Sequence, residues 1–212
     1  MLILFDLDGT LTDPFVGIAA GLRHAFDQLN LEVPSDEAVR ALIGPPFEES
    51  LPALGVPHDQ VALAIKHYRE SYNEGGGLFQ ATVFDGIVDV LAALRDDGHQ
   101  LALATSKPTR SAARVLQHFR LHRYFDFIGG ATVDGTRTRK EDVVGHVLES
   151  LDHATGVMVG DRRYDVMGAR AFGLQSIGVT WGYAEPGEFE EHAPDHLATD
   201  PADLLRVIRS LR

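Results

Sequence analysis

Four apolar residues, Leu2-Ile3-Leu4-Phe5, run directly into Asp6-Leu7-Asp8-Gly9. No other feature limits the fold as much. A short β-prone run closed by a turn signal is a strand, and one that is apolar on both faces belongs inside a parallel sheet. Asp6 and Asp8, two apart on an extended chain, lie on one side while Leu7 turns away. Like charges that close repel, so a proton, a cation or both must hold them.

The pattern beyond this strand changes twice. Phe15, Ile18, Ala19, Leu22, Phe26 and Leu29 recur at helical spacing. Ser35 is placed to cap a second helix, and Val61, Ile65, Tyr68 and Tyr72 form a further helical stripe. Gly75-Gly76-Gly77 then reads as a linker. From about residue 83, helices and strands alternate. Strands are predicted at Leu101–Ala104, near Phe125–Ile128, at Gly156–Val159 and at Ser176–Val179. Helices are predicted around 87–94, after Pro108, over 143–151, over 164–172 and around 204–211. This alternation means a parallel α/β sheet with right-handed crossovers. The expected organisation is a sheet domain over 1–14 and 81–212, with a helical insert over 15–80.

Three more segments bear chemistry. Gly160-Asp161-Arg162-Arg163-Tyr164-Asp165 follows an apolar strand and opens a helix. Alone, its acids read as an N-cap and a solvated first-turn carboxylate. Joined to Asp6 and Asp8 they make an all-oxygen cluster, which selects Mg²⁺ over zinc. Ala104-Thr105-Ser106-Lys107-Pro108 places hydroxyls and free N–H groups where a strand meets a helix, a phosphate cradle or a simple cap. Lys140 lies among charges just before the helix expected near Val143. No histidine pair shows convincing metal spacing near these motifs, and His24, His67 and His118 read as helix-surface residues.

Composition removes several classes of function. Nineteen basic against 31 acidic residues give a formal charge of −12, the wrong sign for a nucleic-acid polymer or an anionic membrane. Cysteine is absent, which excludes a thiolate zinc site and a cysteine nucleophile. No long apolar run suggests a membrane span, and the opening residues do not resemble a signal peptide, so the expected location is cytoplasmic.

Asp-Leu-Asp-Gly-Thr-Leu-Thr-Asp at 6–13, Thr105, Lys140 and Gly-Asp-x-x-x-Asp at 160–165, in that order, resemble the four motifs of the haloacid dehalogenase superfamily of phosphohydrolases. The resemblance spans essentially the whole chain. The helical block matches the cap position of the phosphoglycolate phosphatase-like subgroup. The implied fold is a Rossmann-like parallel sheet core with an inserted α-helical cap domain. The resemblance further implies that Asp6 is the nucleophile and Asp8 the general acid and base. Thr105, with the Ser106 backbone, would bind the phosphoryl group, and Lys140 would neutralise it. Asp6, the Asp8 carbonyl and Asp161 would hold Mg²⁺, with Asp165 as an outer partner of the metal site. Gly44 and Pro45, in a rigid turn of the insert, are the expected substrate contacts. Arg162, where many members carry a small hydroxyl residue, is expected to bear on substrate choice.

The chemistry explains the residues. A carboxylate attacking a phosphate dianion at ~4 Å faces several kcal/mol of repulsion at an effective dielectric of ~20. A divalent cation and an ammonium cancel it, and the remote charges are screened beyond ~8 Å. The expected activity is Mg²⁺-dependent hydrolysis of a small phosphorylated metabolite, such as 2-phosphoglycolate, through an aspartyl phosphate, by a monomer or homodimer. Alternatives are a nucleoside 5′-monophosphatase or pyrophosphatase, a β-phosphoglucomutase-like phosphomutase, and a non-catalytic interaction module. The intact acidic set argues against the last.

Overall fold

The computed structural model describes residues 1–44 and 47–211. The chain divides into two compact units, Met1–Asp13 with Val83–Arg212, and Pro14–Thr82. The strands are β1 (Leu2–Phe5), β2 (Thr12–Asp13), β3 (Thr82–Val83), β4 (Gln100–Pro108), β5 (Phe127–Ala131), β6 (Val157–Gly160), β7 (Gln175–Val179) and β8 (His196–Ala198). The helices are α1 (Phe15–Gln28), α2 (Asp36–Ala41), α3 (Phe47–Ser50), α4 (Val61–Arg69), α5 (Ile87–Asp96), α6 (Thr109–His118), α7 (Lys140–Leu151), α8 (Arg163–Ala171), α9 (Glu188–Glu191) and α10 (Pro201–Ser210). Among the described residues, no helix is long and apolar enough to cross a membrane.

In the first unit six parallel strands form one sheet in the order β5-β4-β1-β6-β7-β8. β1 is fully buried because it lies between β4 and β6. Leu2 and Leu4 point to one face, where they pack with Ala102, Ala104, Met158 and the α7 stripe Val143, Val144, Val147 and Leu148. On leaving β1 the strand order runs outward through β4 and β5, then returns to β6 on the other side. That reversal is the place where an open α/β sheet gathers ligands at its strand ends.

The second unit is helical over α1 to α4. Ser35 caps α2 as its sequence suggests, its Oγ accepting from Ala38 N at 3.2 Å. The glycine run differs from the linker expected of it. Gly77 is buried within the unit, and a Cβ on Gly17 of α1 would meet its carbonyl oxygen at 2.0 Å. Two glycines therefore let α1 and this turn touch backbone to backbone.

Candidate active site

Asp6 continues the β1 ladder by one bond, its N–H donating to Val159 O at 2.9 Å. The chain then folds over itself. Leu7 O accepts from Thr10, Leu11 and Thr12 N–H groups at 2.9–3.3 Å. Gly9 supplies the left-handed residue this turn needs, at φ +87. A Cβ there would also lie 2.1 Å from Asp161 Oδ2.

The acids that the sequence spreads over 160 positions converge at this strand end. One carboxylate oxygen from each of Asp6, Asp161 and Asp165 lies within 4.8 Å of the others, and all three residues are buried. Lys140 opens α7 and sends its Nζ between them, 3.0 Å from Asp6 Oδ1, 2.8 Å from Asp165 Oδ1 and 3.1 Å from Ala104 O. Asp161 is held by Thr10 Oγ1 at 3.2 Å and by Tyr183 N at 2.8 Å. Asp165 is not solvated. Its Oδ2 reaches back to accept from Arg162 N at 3.0 Å, which caps the start of α8. Gly160 makes room for it, since a Cβ at that position would stand 2.0 Å from the Asp165 carboxyl carbon.

The electrostatics of the cluster are unbalanced. Three carboxylates converge here, and among the described residues one ammonium, that of Lys140, contacts Asp6 and Asp165. Burial pushes Asp161 well above the usual carboxylate range, and the Asp165 and Asp6 charges add to the effect. Burial likewise raises Asp165 to about 6, opposed by Lys140 and assisted by Asp6. Burial works against the Lys140 ammonium, but the Asp165 and Asp6 carboxylates overcome it and hold its pKa above the ordinary value. Asp6 Oδ1 and Asp165 Oδ1 are buried, and both face the same Lys140 ammonium. Three converging hard carboxylates that share a single contacting ammonium fit a divalent cation such as Mg²⁺.

Asp8 sits beside this cluster in a separate pair. Its carboxylate is ion-paired with Lys107 Nζ. Burial raises its pKa against the pull of that ammonium. Lys107 reaches it because the β4–β5 register shifts between Thr105 and Pro108, lifting Ser106 and Lys107 off the ladder. Gly130 allows this, for a Cβ there would meet Lys107 O at 2.6 Å. Thr105 is buried at the same strand end and its Oγ1 accepts from Lys107 N at 3.2 Å, while Ser106 is half-buried.

Of the residues singled out from sequence, Asp6, Asp8, Thr105, Ser106, Lys140, Asp161 and Asp165 all belong to the first unit. Gly44 belongs to the second, at φ +117, and Pro45 lies outside the described residues. Arg162, expected to bear on substrate choice, belongs to the first unit. It is buried, with Nε 3.1 Å from both oxygens of the buried Glu188. Lys107, Thr10, Tyr183 and Glu188 were not foreseen; periodicity carries no signal for a bulge or for bonds between distant loops.

Fold and site together define a hydrolytic enzyme of the phosphatase class. The haloacid dehalogenase-like hydrolase profile matches residues 3–179, and the chain belongs to that family. It is similar to a 5′-nucleotidase of Pseudomonas aeruginosa, at 40% identity over 98% of this chain and 95% of that protein. It is also similar to the tyrosine-protein kinase PtkA of Mycobacterium tuberculosis, at 43% identity over 99% of this chain and 72% of that protein. A crystal structure of a predicted phosphatase from Clostridium acetobutylicum superimposes with TM-score 0.92 at 36% identity, covering 99% of this chain and 98% of that one.

Proposed function

We propose that the chain is a Mg²⁺-dependent phosphatase acting on a small phosphate monoester through an aspartyl phosphate. The observation that carries this is the buried set of Asp6, Asp161 and Asp165, of which Asp6 and Asp165 share the one ammonium of Lys140. Asp6, Asp161, Asp165 and the Asp8 carbonyl would hold Mg²⁺, which supplies positive charge to the phosphoryl oxygens when bound. Asp6 attacks phosphorus, and the bond to the ester oxygen breaks as Asp8 gives that oxygen a proton. Asp8 then takes a proton from water as the water displaces Asp6 and releases phosphate. Burial favours the protonated form that the first step requires, while Lys107 fixes where the carboxyl points. Lys140 offsets the charge of Asp6 and the phosphoryl group. Thr105 and the Ser106 backbone hold the remaining oxygens. The Pro14–Thr82 unit would act as the cap that sets the substrate.

2-Phosphoglycolate and nucleoside 5′-monophosphates are the substrates to test first, and the 5′-nucleotidase relative supports the second. Free phosphate is measured over a panel of monoesters with and without Mg²⁺. Turnover is expected to depend on Mg²⁺ and to vanish in Asp6→Asn while the thermal transition stays cooperative. Near-normal phosphate release from Asp6→Asn overturns the mechanism. The relative named a tyrosine-protein kinase supports a second reading, phosphoryl transfer to a tyrosine hydroxyl. Label from ATP appearing in protein instead of in phosphate would favour it.

A further inference from the structure

We propose that the Pro14–Thr82 unit carries a metal site of its own, a transition-metal site formed by His24, His67 and Glu70. The backbone brings these residues together. Gly21 of α1 has no side chain, and a Cβ there would lie 2.9 Å from the ring of Tyr68 on α4, so the two helices approach closely. His24 lies three residues beyond Gly21, on the same face of α1. His67 neighbours Tyr68, and Glu70 follows His67 by three, so both share one face of the partner helix.

The His24 and His67 rings stand 6.4 Å apart at 78°, and His67 Nδ1 is 3.1 Å from Glu70 Oε2. A nitrogen from each imidazole and an oxygen of Glu70 all lie within 4.8 Å of one another. A helix-surface hydrogen bond accounts for His67 and Glu70 alone; it does not account for the His24 ring on another helix. The Lys66 ammonium approaches the other carboxylate oxygen, Oε1, at 3.8 Å, which leaves Oε2 toward the imidazoles. Glu70 also begins a π turn, Glu70–Glu74, closed by Gly75 N to Glu70 O at 3.0 Å. π turns are rare, and are frequent at functional sites.

The ligand chemistry differs from that of the carboxylate cluster. Two imidazoles and one carboxylate suit Zn²⁺ or a neighbouring transition ion, and three protein ligands leave one position for water. An ion bound here ties α1 to α4. Binding would require the three side chains to rotate inward from their present separation, at the expense of the His67–Glu70 hydrogen bond.

The experiment is calorimetric titration of Zn²⁺ into the tag-free full chain in excess Mg²⁺, with thermal unfolding in parallel. Wild type is expected to take up one equivalent and to gain in Tm. His24→Asn, His67→Asn and Glu70→Gln are each expected to lose that equivalent and the gain, with metal-free Tm unchanged. Asp161→Asn should retain both. Should one histidine variant prove unstable without metal, Glu70→Gln, at a half-buried carboxylate, carries the same reading. A zinc equivalent that survives in all three variants, or one that disappears in Asp161→Asn, overturns the proposal, as does the absence of any uptake by wild type.

Discussion

Truncating Glu188 is the sharpest probe of how the acidic loop is held. Its carboxylate, almost wholly buried, accepts from Arg162 Nε at 3.1 Å to each oxygen, from Arg163 N at 2.6 Å and from Glu185 N at 2.9 Å. Glu188→Ala strands a buried guanidinium. Breaking a buried pair by removing one partner costs about 3–5 kcal/mol. The nearest replacement is Glu185, which is 3.7 Å away with a half-exposed side chain, so it recovers little of that loss. In a chain of this length, each kcal/mol moves Tm by about 2–4 °C, so the expected fall is on the order of 10 °C. Urea denaturation in chelator measures it without a contribution from bound cation. The double variant Arg162→Met/Glu188→Met removes both charges. It keeps the loss of two backbone acceptor bonds, about 1 kcal/mol each, and should be more stable than Glu188→Ala alone. A Glu188→Ala cost below about 1 kcal/mol, or a double variant worse than the single, refutes the reasoning.

Three further outcomes follow from the same site. Lys140→Met removes the only ammonium contacting Asp6 and Asp165 among the described residues; kcat should fall at least ~100-fold, and stopped-assay phosphate release near wild type contradicts this. Gly160→Ala drives a Cβ into the Asp165 carboxyl and should cost about 1–3 kcal/mol with weaker Mg²⁺ binding, read by denaturation and by Mg²⁺ titration of activity. In chelator, stability should decline as pH rises from 3.8 toward about 6, because folded Asp165 holds its proton more tightly than the unfolded residue does. Mg²⁺ competes with that proton, so the Tm gain from Mg²⁺ should grow across the same window, and a gain independent of pH counts against a cation among these acids.

The site was legible in sequence where each acid followed an apolar strand. Leu2–Phe5 and Val157–Val159 announce their own burial, and Asp6 and Asp161 inherit a position from it. The strand ends were less legible. β4 extends to Pro108 although Thr105-Ser106-Lys107 carry no strand pattern, because the parallel pairing to β5 is set by the neighbouring chain. β5 runs to Ala131 through Gly129 and Gly130, which look like turn residues. Gly129 is there because Val147 of α7 packs where its Cβ would be, at 2.3 Å. β8, three residues long, lacks any run to recognise. Asp165 reads as a surface acid because its burial depends on Lys140 and Gly160, and no local window contains all three. The nearness of His24 to His67 is a property of two helices packed face to face, 43 positions apart in the chain.

The glycines around the cluster carry a steric corollary. Positions 9, 160 and 182 are filled to contact by the carboxyl groups of Asp161 and Asp165, and position 168 by the stem of Lys140. Any heavier residue there collides with the acidic cluster or with the lysine that serves it. A side chain at any of these four positions would therefore have to displace the atoms that the cluster is built from.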